Sequence, residues 1–472
     1  MIHEIKYSQL KEKGSKTCHY YTKIIRKYDN TSKIEHFCEL AGDFLELNGI
    51  SEIFIKKNKL RSGETVIHFP EKLLLNGRIN IAEQAGQKPE IPSMDNLPSY
   101  NSKFIGNKTI LAIKVDAMDA KTSTSIAQIK NTLFGIENKK VTFKSQMSAC
   151  SFNKINFAPF NGNTTGGNFI SNGAVEIFVP MSIRDMTEGD ELENEVRKRM
   201  EEKYGSLQNQ FDHVIIILPK NKKWNFFAYA YVHHWLSVFN DKEIKFLGTI
   251  MHEIGHNLGL VHSSKGRQEY GDESGVMGFS SNLEDDEKCF NAVKSWQLGW
   301  YEDGHESINP FEKLFQGKIV GIANYDIRGN NPVILKIVGH DDNNDYYVSF
   351  NRATGINSGS TKGSNKLFIT SQNSTKFEDY SHVKAILLEG ESYKINNFAG
   401  SELTLQIIVD KISINKGSKA VPGYAKISMS LQNPSDFLKK KVNEEKKKKN
   451  KQSKKMKQQK KNKKKKGKRN KK

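Results

Sequence analysis

Residues 252–262 read HEIGHNLGLVH and constrain this chain more than any other stretch. His252 and His256 are four residues apart, so on a helix their imidazoles project from the same face. Gly259 tolerates a positive φ, so we expect the helix to end there and the chain to bring His262 back toward the other two. Imidazole nitrogens at this spacing suit one zinc ion at about 2.0–2.1 Å. The motif predicts three histidine ligands and a fourth position open to water.

Glu253 adds an acid–base group beside the first histidine. A carboxylate there can reach a zinc-bound water, whose pKa the metal lowers to about 7, without being a ligand itself. The alternative is a buried helix without a metal. That helix would hide three histidines and a glutamate among Ile250, Ile254 and Leu258, which is costly without a partner. The pattern therefore favours a catalytic zinc site with Glu253 as general base.

The order of apolar runs predicts several domains. TILAIKV at 109–115 and the proline-closed runs GAVEIFVP and HVIIILP are typical of buried strands, and the last two flank a charged helical stretch. This order predicts an α/β (α+β) domain with a mixed sheet over residues 108–312, including a longer helix from about 242 to 258. From 318 to 432, short β-type runs alternate with Gly, Asn and Ser turns, which predicts an all-β, sandwich-like domain.

The two ends of the chain differ from this body. Residues 439–472 hold 21 Lys and Arg against two Asp and Glu, whereas the whole chain has a formal net charge of +20, so the body is nearly neutral. We expect a disordered polybasic tail at 438–472 and no sequence-specific nucleic-acid surface. Residues 1–100 are a candidate pro-region that ends in a proline-rich linker at 89–98. No run approaches 18 apolar residues, so no transmembrane helix is expected.

Motifs around the histidines resemble a known family. YGDESGVMG places Met277 15 residues after His262, and a methionine-bearing turn after HExxHxxGxxH resembles the metzincin zinc endopeptidases. The stretches CFNAVKSWQLGWY, KVDAMDAKTSTSIAQIKNTLFG, SQMSACSFNKINFAP and YYVSFNRATGINSG are similar to the gametolysin (autolysin) family, over roughly residues 108–430. The resemblance implies a metzincin-type catalytic domain with a zinc-binding active-site helix.

The resemblance also implies roles for the matching residues. The implied ligands of a single catalytic Zn2+ are His252, His256 and His262. Glu253 becomes the general base that also protonates the leaving amine, and Met277 becomes a structural support, as Gly259 does through its turn. Gly278 and Phe279 follow Met277, so the tyrosine that some metzincins use as an extra ligand two residues after this methionine is absent.

A protein or glycoprotein substrate, such as one of a cell wall or an extracellular matrix, is implied as well. The implied location is extracellular or in the cell wall, although the N-terminal residues of this sequence contain no apolar signal-peptide region.

The four cysteines, Cys18, Cys38, Cys150 and Cys289, form no CxxC pair and are compatible with two disulfides or with none. Cys150 and Cys289 lie in the family-like motifs, so a disulfide between them is expected if the protein is secreted, with reduced buried cysteines as the alternative. A zinc-blocking role for Cys18 or Cys38 from the pro-region is a weaker hypothesis, because neither lies in a PRCG motif.

Other polar residues admit two interpretations. Asp272 could bind Ca2+, or it could bond its own backbone in a turn, which is commoner. Residues 341–347 lack EF-hand spacing and favour a hairpin turn, so a Ca2+ site there is unsupported. We interpret His233 and His234 as partly buried histidines rather than substrate-cleft residues.

We predict a zinc endopeptidase that uses a Glu-activated zinc-bound water. One alternative is an inactive peptidase-like adhesin that acts through its β domain and tail. Another is a polyanion-binding or nuclear protein whose tail binds acidic polysaccharide, phospholipid or RNA by counterion release.

Overall fold

The computed structural model describes most of the chain. The described residues are 15–40, 42–70, 74–75, 78–80, 104–137, 139–278, 284, 286–338, 344–373, 379–414 and 421–433. The predicted linker at 89–98 and the polybasic tail at 438–472 lie outside them, as do the first residues of the stretch 341–347. Among the described residues, no helix is long and apolar enough to cross a lipid bilayer.

The N-terminal part is a small β-rich unit with one short helix. Its elements are β1 (Ser15–Arg26), β2 (Ser32–Leu40), β3 (Asp43–Asn48), α1 (Glu52–Lys57), β4 (Val66–Pro70), β5 (Leu74–Leu75) and β6 (Arg78–Asn80). β1 pairs antiparallel with both β2 and β4, and a disulfide joins Cys18 on β1 to Cys38 on β2.

The central part carries most of the helices. Its elements are β7 (Gly106–Ala117), α2 (Ile126–Phe134), α3 (Phe143–Cys150), β8 (Ile155–Pro159), β9 (Gly162–Asn163), β10 (Phe169–Ile170), β11 (Ala174–Val179), α4 (Asp190–Tyr204), β12 (His213–Leu218), β13 (Ala228–Tyr231), β14 (Leu236–Asn240), α5 (Leu247–Asn257), β15 (Ser263–Lys265) and α6 (Ala292–Gln297). The three predicted strands, β7, β11 and β12, and the charged helix α4 between the last two are confirmed. The predicted helix 242–258 begins later, at Leu247, because Phe246 is extended (φ −90°, ψ 111°) and a separate 3-10 turn precedes it.

One sheet joins the N-terminal and central parts. Its strand order is β11-β7-β12-β14-β13-β1-β2-β3-β6-β5, with β8 beside β7 and β4 beside β1. The strands β11, β7, β12 and β14 run parallel, whereas β13 is antiparallel to β14 and β1 is antiparallel to β13. This mixed sheet confirms the α/β class predicted from the sequence.

The central strand β12 is buried on both faces, which explains its continuous apolar sequence. Ile215 and Ile217 join a core that includes side chains of α2, α3 and α5. Val214 and Ile216 join a second core, on the opposite face, that includes side chains of α4. The sheet is therefore the middle layer between two sets of helices, and α5 lies on one face of it.

The C-terminal part is almost entirely β-structure. Its strands are β16 (His305–Ile308), β17 (Gln316–Val320), β18 (Ile334–Ile337), β19 (Asn344–Asn351), β20 (Lys366–Asn373), β21 (Ser381–Leu387), β22 (Ser392–Ile395), β23 (Thr404–Ser413) and β24 (Tyr424–Gln432). They form a six-stranded sheet, β15-β21-β20-β19-β18-β16, and a four-stranded sheet, β17-β24-β23-β22, which share one apolar core. β15 belongs to the central part, so this pairing connects the region of the histidine motif directly to the C-terminal strands.

Candidate metal centre

Helix α5 carries the first two histidines and the glutamate, and every residue from Leu247 to Asn257 is buried. Its apolar side chains Leu247, Ile250, Ile254 and Leu258 follow helical spacing and pack into the core beneath the sheet. This packing fixes the rotation of α5 and directs the polar side chains of the motif away from that core.

The three histidines predicted from the sequence come together. His252, His256 and His262 each offer a nitrogen, and these nitrogens all lie within 4.8 Å of one another. The ring centroids of His252 and His262 are 5.1 Å apart, and those of His256 and His262 are 4.9 Å apart. Three imidazoles in this arrangement can converge on a single metal ion.

The other nitrogen of each ring has a hydrogen-bond acceptor. Nδ1 of His252 donates to the Val276 carbonyl and Nδ1 of His256 donates to the Leu260 carbonyl, both at 2.7 Å. Because a carbonyl can only accept, these contacts place the proton on Nδ1 and leave Nε2 as the free lone pair. Nε2 of His252 and of His262 is buried with no hydrogen-bond partner among the described residues. Buried unsatisfied nitrogens that face one another fit a metal ion.

Burial and the neighbouring imidazoles lower the pKa of His252 and His256 well below the ordinary value. The rings are therefore neutral near pH 7, which is the form that binds a metal.

The glutamate of the motif is as buried as the histidines. Both carboxylate oxygens of Glu253 are buried without a hydrogen-bond partner in the described part of the chain. Burial raises the pKa of Glu253 to about 8, and the nearby guanidinium of Arg26 opposes that rise. A carboxyl group whose pKa lies near neutrality can both accept and return a proton, and a cation held by the three neighbouring imidazoles would favour its ionised form.

Gly259 makes the turn that the sequence predicts. Its φ is +82°, its N–H bonds the His256 carbonyl at 2.8 Å, and the Leu260 N–H bonds the Gly255 carbonyl at 2.9 Å. This is a Schellman end to α5, and it also brings the Leu260 carbonyl to the ring of His256. A Cβ at position 259 would overlap the ring of His233, so the glycine is required for space as well as for its φ.

His233 and His234 lie outside the group of three imidazoles. The N–H of His233 bonds the His256 carbonyl at 3.1 Å, and its ring lies against Gly259. His234 is buried among aromatic rings, and its Nδ1 accepts the N–H of Leu236 at 3.1 Å. The prediction that both are structural histidines agrees with these contacts.

The methionine-bearing turn lies under α5. Met277 is buried, and its sulfur lies so close to Gly255 that a Cβ on that residue would overlap it. Ser263 donates its N–H to the Met277 carbonyl at 2.9 Å, which ties the turn to the residue after His262. Gly255, inside the HEIGH stretch, is thus a packing requirement that we did not predict. A glycine in the interior of a helix, where it is less stable than alanine, is the signal for such a close approach.

Asp272 braces the same turn. One carboxylate oxygen accepts the N–H of Ser274 at 2.9 Å and its hydroxyl at 2.6 Å, and the other accepts from Asn291 at 2.7 Å. These bonds are those of a turn aspartate, as favoured from the sequence.

Glu269 contacts the third histidine, and the sequence did not identify it. Its Oε1 accepts from Nδ1 of His262 at 2.6 Å, from the Tyr380 hydroxyl at 2.9 Å and from the Ser32 hydroxyl at 2.6 Å. Burial alone would raise the pKa of Glu269, but these three donors outweigh it and lower the pKa to about 2. Only the fold brings Ser32 and Tyr380 to this carboxylate, which is why linear spacing gave no signal.

The N-terminal strand β1 also reaches the site. Arg26 is buried, and its guanidinium lies 5.3 Å from the centre of the Tyr270 ring, which is itself 4.4 Å from the ring of His262. Ile24 packs with Val261, the residue before His262. The segment predicted as a pro-region is therefore in contact with the candidate metal centre.

All four cysteines are paired. A disulfide joins Cys150, at the end of α3, to Cys289, before α6, and a second joins Cys18 to Cys38. Neither Cys18 nor Cys38 is available as a zinc-blocking thiolate while that bond exists.

The buried HExxHxxGxxH motif and the methionine-bearing turn lie beside a mixed α/β sheet, and they are the features on which the resemblance to metzincin peptidases rests. Residues 110–326 match the family model described as gametolysin peptidase M11, so the resemblance inferred from the motifs is confirmed over that segment.

Two further similarities are found. The chain is 32% identical over 106 residues to Autolysin from Chlamydomonas reinhardtii, which is 21% of this chain and 16% of that protein. The chain therefore spans only a small part of the length of this relative. Archaemetzincin from Methanopyrus kandleri is similar at 15% identity, over 40% of this chain and 94% of that one, with a TM-score of 0.22.

Proposed function

We propose that this protein is a zinc endopeptidase. The observation that carries the proposal is the convergence of three buried imidazoles, two of them with an unsatisfied Nε2, beside the carboxyl group of Glu253, which has no hydrogen-bond partner among the described residues. His252, His256 and His262 would hold one Zn2+, because three neutral imidazoles with oriented Nδ1 protons are a common donor set for a catalytic zinc. The match of residues 110–326 to a peptidase family supports the same reaction class.

Each residue then has a defined task. When bound, zinc polarises a carbonyl and acidifies a water, whose pKa falls to about 7. The carboxylate of Glu253 takes the proton of the attacking water and passes it to the nitrogen of the leaving amine. The backbone carbonyls of Val276 and Leu260 hold two of the rings in place, and the burial of the site excludes bulk water from the reacting groups.

A protein or glycoprotein is the substrate that this chemistry requires. The match to the gametolysin family and the likeness to an autolysin support a cell-wall or matrix glycoprotein as the natural target. The pairing of all four cysteines supports an oxidising, extracellular location, because such bonds persist mainly outside the cytosol.

We further propose that residues 1–100 act as a pro-region. β1 covers the edge of β13, the strand that packs on α5, and its buried Lys23 pairs with Asp190 of the central part at 2.7 Å. An extended substrate commonly binds an enzyme by adding a strand to such an edge, so β1 would compete for it.

Removal of the metal tests the endopeptidase proposal. We expect a chelator to abolish cleavage of a casein substrate and a stoichiometric addition of Zn2+ to restore it, because the water and the carbonyl are activated only with the metal bound. A fluorescence-quenched protein substrate and metal analysis by atomic absorption provide the two measurements. An adhesin or a polyanion binder would cleave nothing at any zinc concentration, and that result would contradict the proposal.

A further inference from the structure

We propose that Glu269 is a positioning residue for the third histidine and links the metal centre to the N-terminal hairpin and to the C-terminal sheet. The inference rests on the proposed function, because it concerns how this chain holds the zinc ligand His262. It adds a residue outside the HExxHxxGxxH motif, and it gives the C-terminal strands a role at the metal site.

The three candidate ligands are oriented by two different kinds of acceptor. His252 and His256 donate their Nδ1 protons to backbone carbonyls. His262 instead donates to the side-chain carboxylate of Glu269, at 2.6 Å. A carboxylate partner fixes the tautomer and raises the basicity of the opposite nitrogen more than a carbonyl does. His262 also lies after the end of α5, so the helix does not fix its orientation. A side-chain partner therefore matters more for this ligand than for His252 and His256.

Two distant parts of the chain hold this carboxylate in turn. Ser32, the first residue of β2, donates to Oε1 at 2.6 Å, and Tyr380, just before β21, donates to the same oxygen at 2.9 Å. The carboxylate of Glu269 is thereby held by the N-terminal hairpin and by the C-terminal sheet. Because Ser32, Tyr380 and His262 all donate to the same oxygen, a shift of the segment that carries Ser32 or Tyr380 moves the oxygen that His262 contacts.

The backbone at the third ligand is held by the same C-terminal segment. The N–H of Ser381 bonds the His262 carbonyl at 3.2 Å, and Ser263 begins the parallel pairing of β15 with β21. The ring of Tyr380 lies 5.6 Å from the ring of His262. Residues 379–387 therefore support both the main chain of His262 and, through Glu269, its side chain. We infer that the metal centre is completed by the C-terminal sheet rather than by the α/β part alone.

Zinc affinity of the full-length chain tests this inference. Competition with a chromogenic chelator is measured for wild type, Glu269→Ala and Glu269→Gln. We expect Glu269→Ala to weaken zinc binding by about 10–100-fold, since this is the usual effect of losing the partner of a ligating histidine. Glu269→Gln keeps a carbonyl acceptor without the charge, so its affinity is expected to lie between the other two. The absorption spectrum of the Co2+-loaded variants is expected to change with the altered ligand geometry.

Glu273→Gln is the matched control. Glu273 lies four residues away and pairs with Lys362 at 2.7 Å, so the substitution removes the same charge without touching the histidine. Its zinc affinity is expected to equal that of wild type. Ser32→Ala and Tyr380→Phe each remove one donor to Oε1 and are expected to weaken zinc binding less than Glu269→Ala does.

The outcomes separate this inference from the proposed function. If wild type binds zinc and cleaves protein, but both Glu269 variants bind zinc as tightly as wild type, only the positioning role is wrong. If wild type binds no zinc, both the positioning role of Glu269 and the proposed zinc endopeptidase function are wrong. A lower melting temperature of the zinc-free Glu269 variants with unchanged zinc affinity would also overturn the inference, because it would indicate a purely structural role. Should Glu269→Ala not fold, Glu269→Gln alone decides between these results.

Discussion

Single residues determine how the chain turns back at the end of α5. Gly259 has φ +82°, and its missing side chain leaves the space that the ring of His233 fills. The same turn supplies the Leu260 carbonyl that orients His256 and starts the path toward His262. One glycine thus affects two of the three candidate ligands.

Gly259→Ala is expected to destabilise the protein and weaken zinc binding. A non-glycine residue in this region of φ costs about 1–3 kcal/mol, and the overlap with His233 adds to that cost. The free energy of unfolding from urea titration and the zinc affinity from chelator competition are the measurements.

Gly266→Ala separates the cost of backbone strain from the cost of the overlap with His233. Gly266 also has a positive φ, +61°, but a Cβ there would meet nothing within 4 Å. Its destabilisation should therefore reflect backbone strain alone and be the smaller one. The double variant Gly259→Ala with His233→Ala is expected to recover part of the loss, because the steric overlap is removed. Equal destabilisation by the two glycine substitutions would contradict the role given to His233.

At the scale of elements, the N-terminal hairpin of β1 and β2 is the notable addition to the central part. It extends the sheet at β13, and Arg26 and Ser32 approach the candidate metal centre. No disulfide ties it to the rest of the chain, because Cys18 pairs with Cys38 inside the same unit. A cut in the chain after this unit would leave only non-covalent contacts to hold it.

If the proposed pro-region role is right, we expect cleavage between the N-terminal and central parts to raise the peptidase activity. A site-specific protease recognition sequence is inserted within residues 89–98, the chain is cut, and the fragments are separated by size exclusion. If the hairpin occupies the edge of β13 about 90% of the time or more, its removal should raise kcat/KM by about tenfold or more.

A second cut supplies the control for this experiment. The same recognition sequence placed after residue 433 releases the polybasic tail instead and is expected to leave peptide hydrolysis unchanged. Equal activity of the intact chain and of the chain without its N-terminal unit would contradict a pro-region role.

At the scale of the whole molecule, an element could be predicted when its structure is determined by residues close together in the sequence. β12 and α5 were predictable because their burial leaves a continuous apolar run or a helical period in the sequence. The pairing of β1 with β13 and of β15 with β21 was not, because it joins segments more than one hundred residues apart. Strand partners depend on tertiary packing, which a single sequence does not encode locally.

In the candidate site, too, the residues that are close in sequence were predictable and those that depend on distant partners were not. His252, Glu253, His256 and His262 lie within eleven residues, and a fixed helical geometry makes their meeting predictable. Glu269 lies seven residues after His262, but its role depends on Ser32 and Tyr380, which the chain brings from opposite ends. The sequence thus indicates the chemistry, and the fold indicates what holds it in place.

The central claim is that Glu253 moves the proton in a zinc-dependent hydrolysis of peptide bonds. The most direct measurement compares casein cleavage and bound zinc in wild type and Glu253→Ala. We predict that the variant keeps one zinc per chain, because the three candidate ligands are histidines and Glu253 is not one of them. We also predict that its kcat falls by about 10²–10⁴-fold, as expected for the loss of a general base. A Glu253→Ala variant that holds zinc and cleaves casein as fast as wild type would contradict the account.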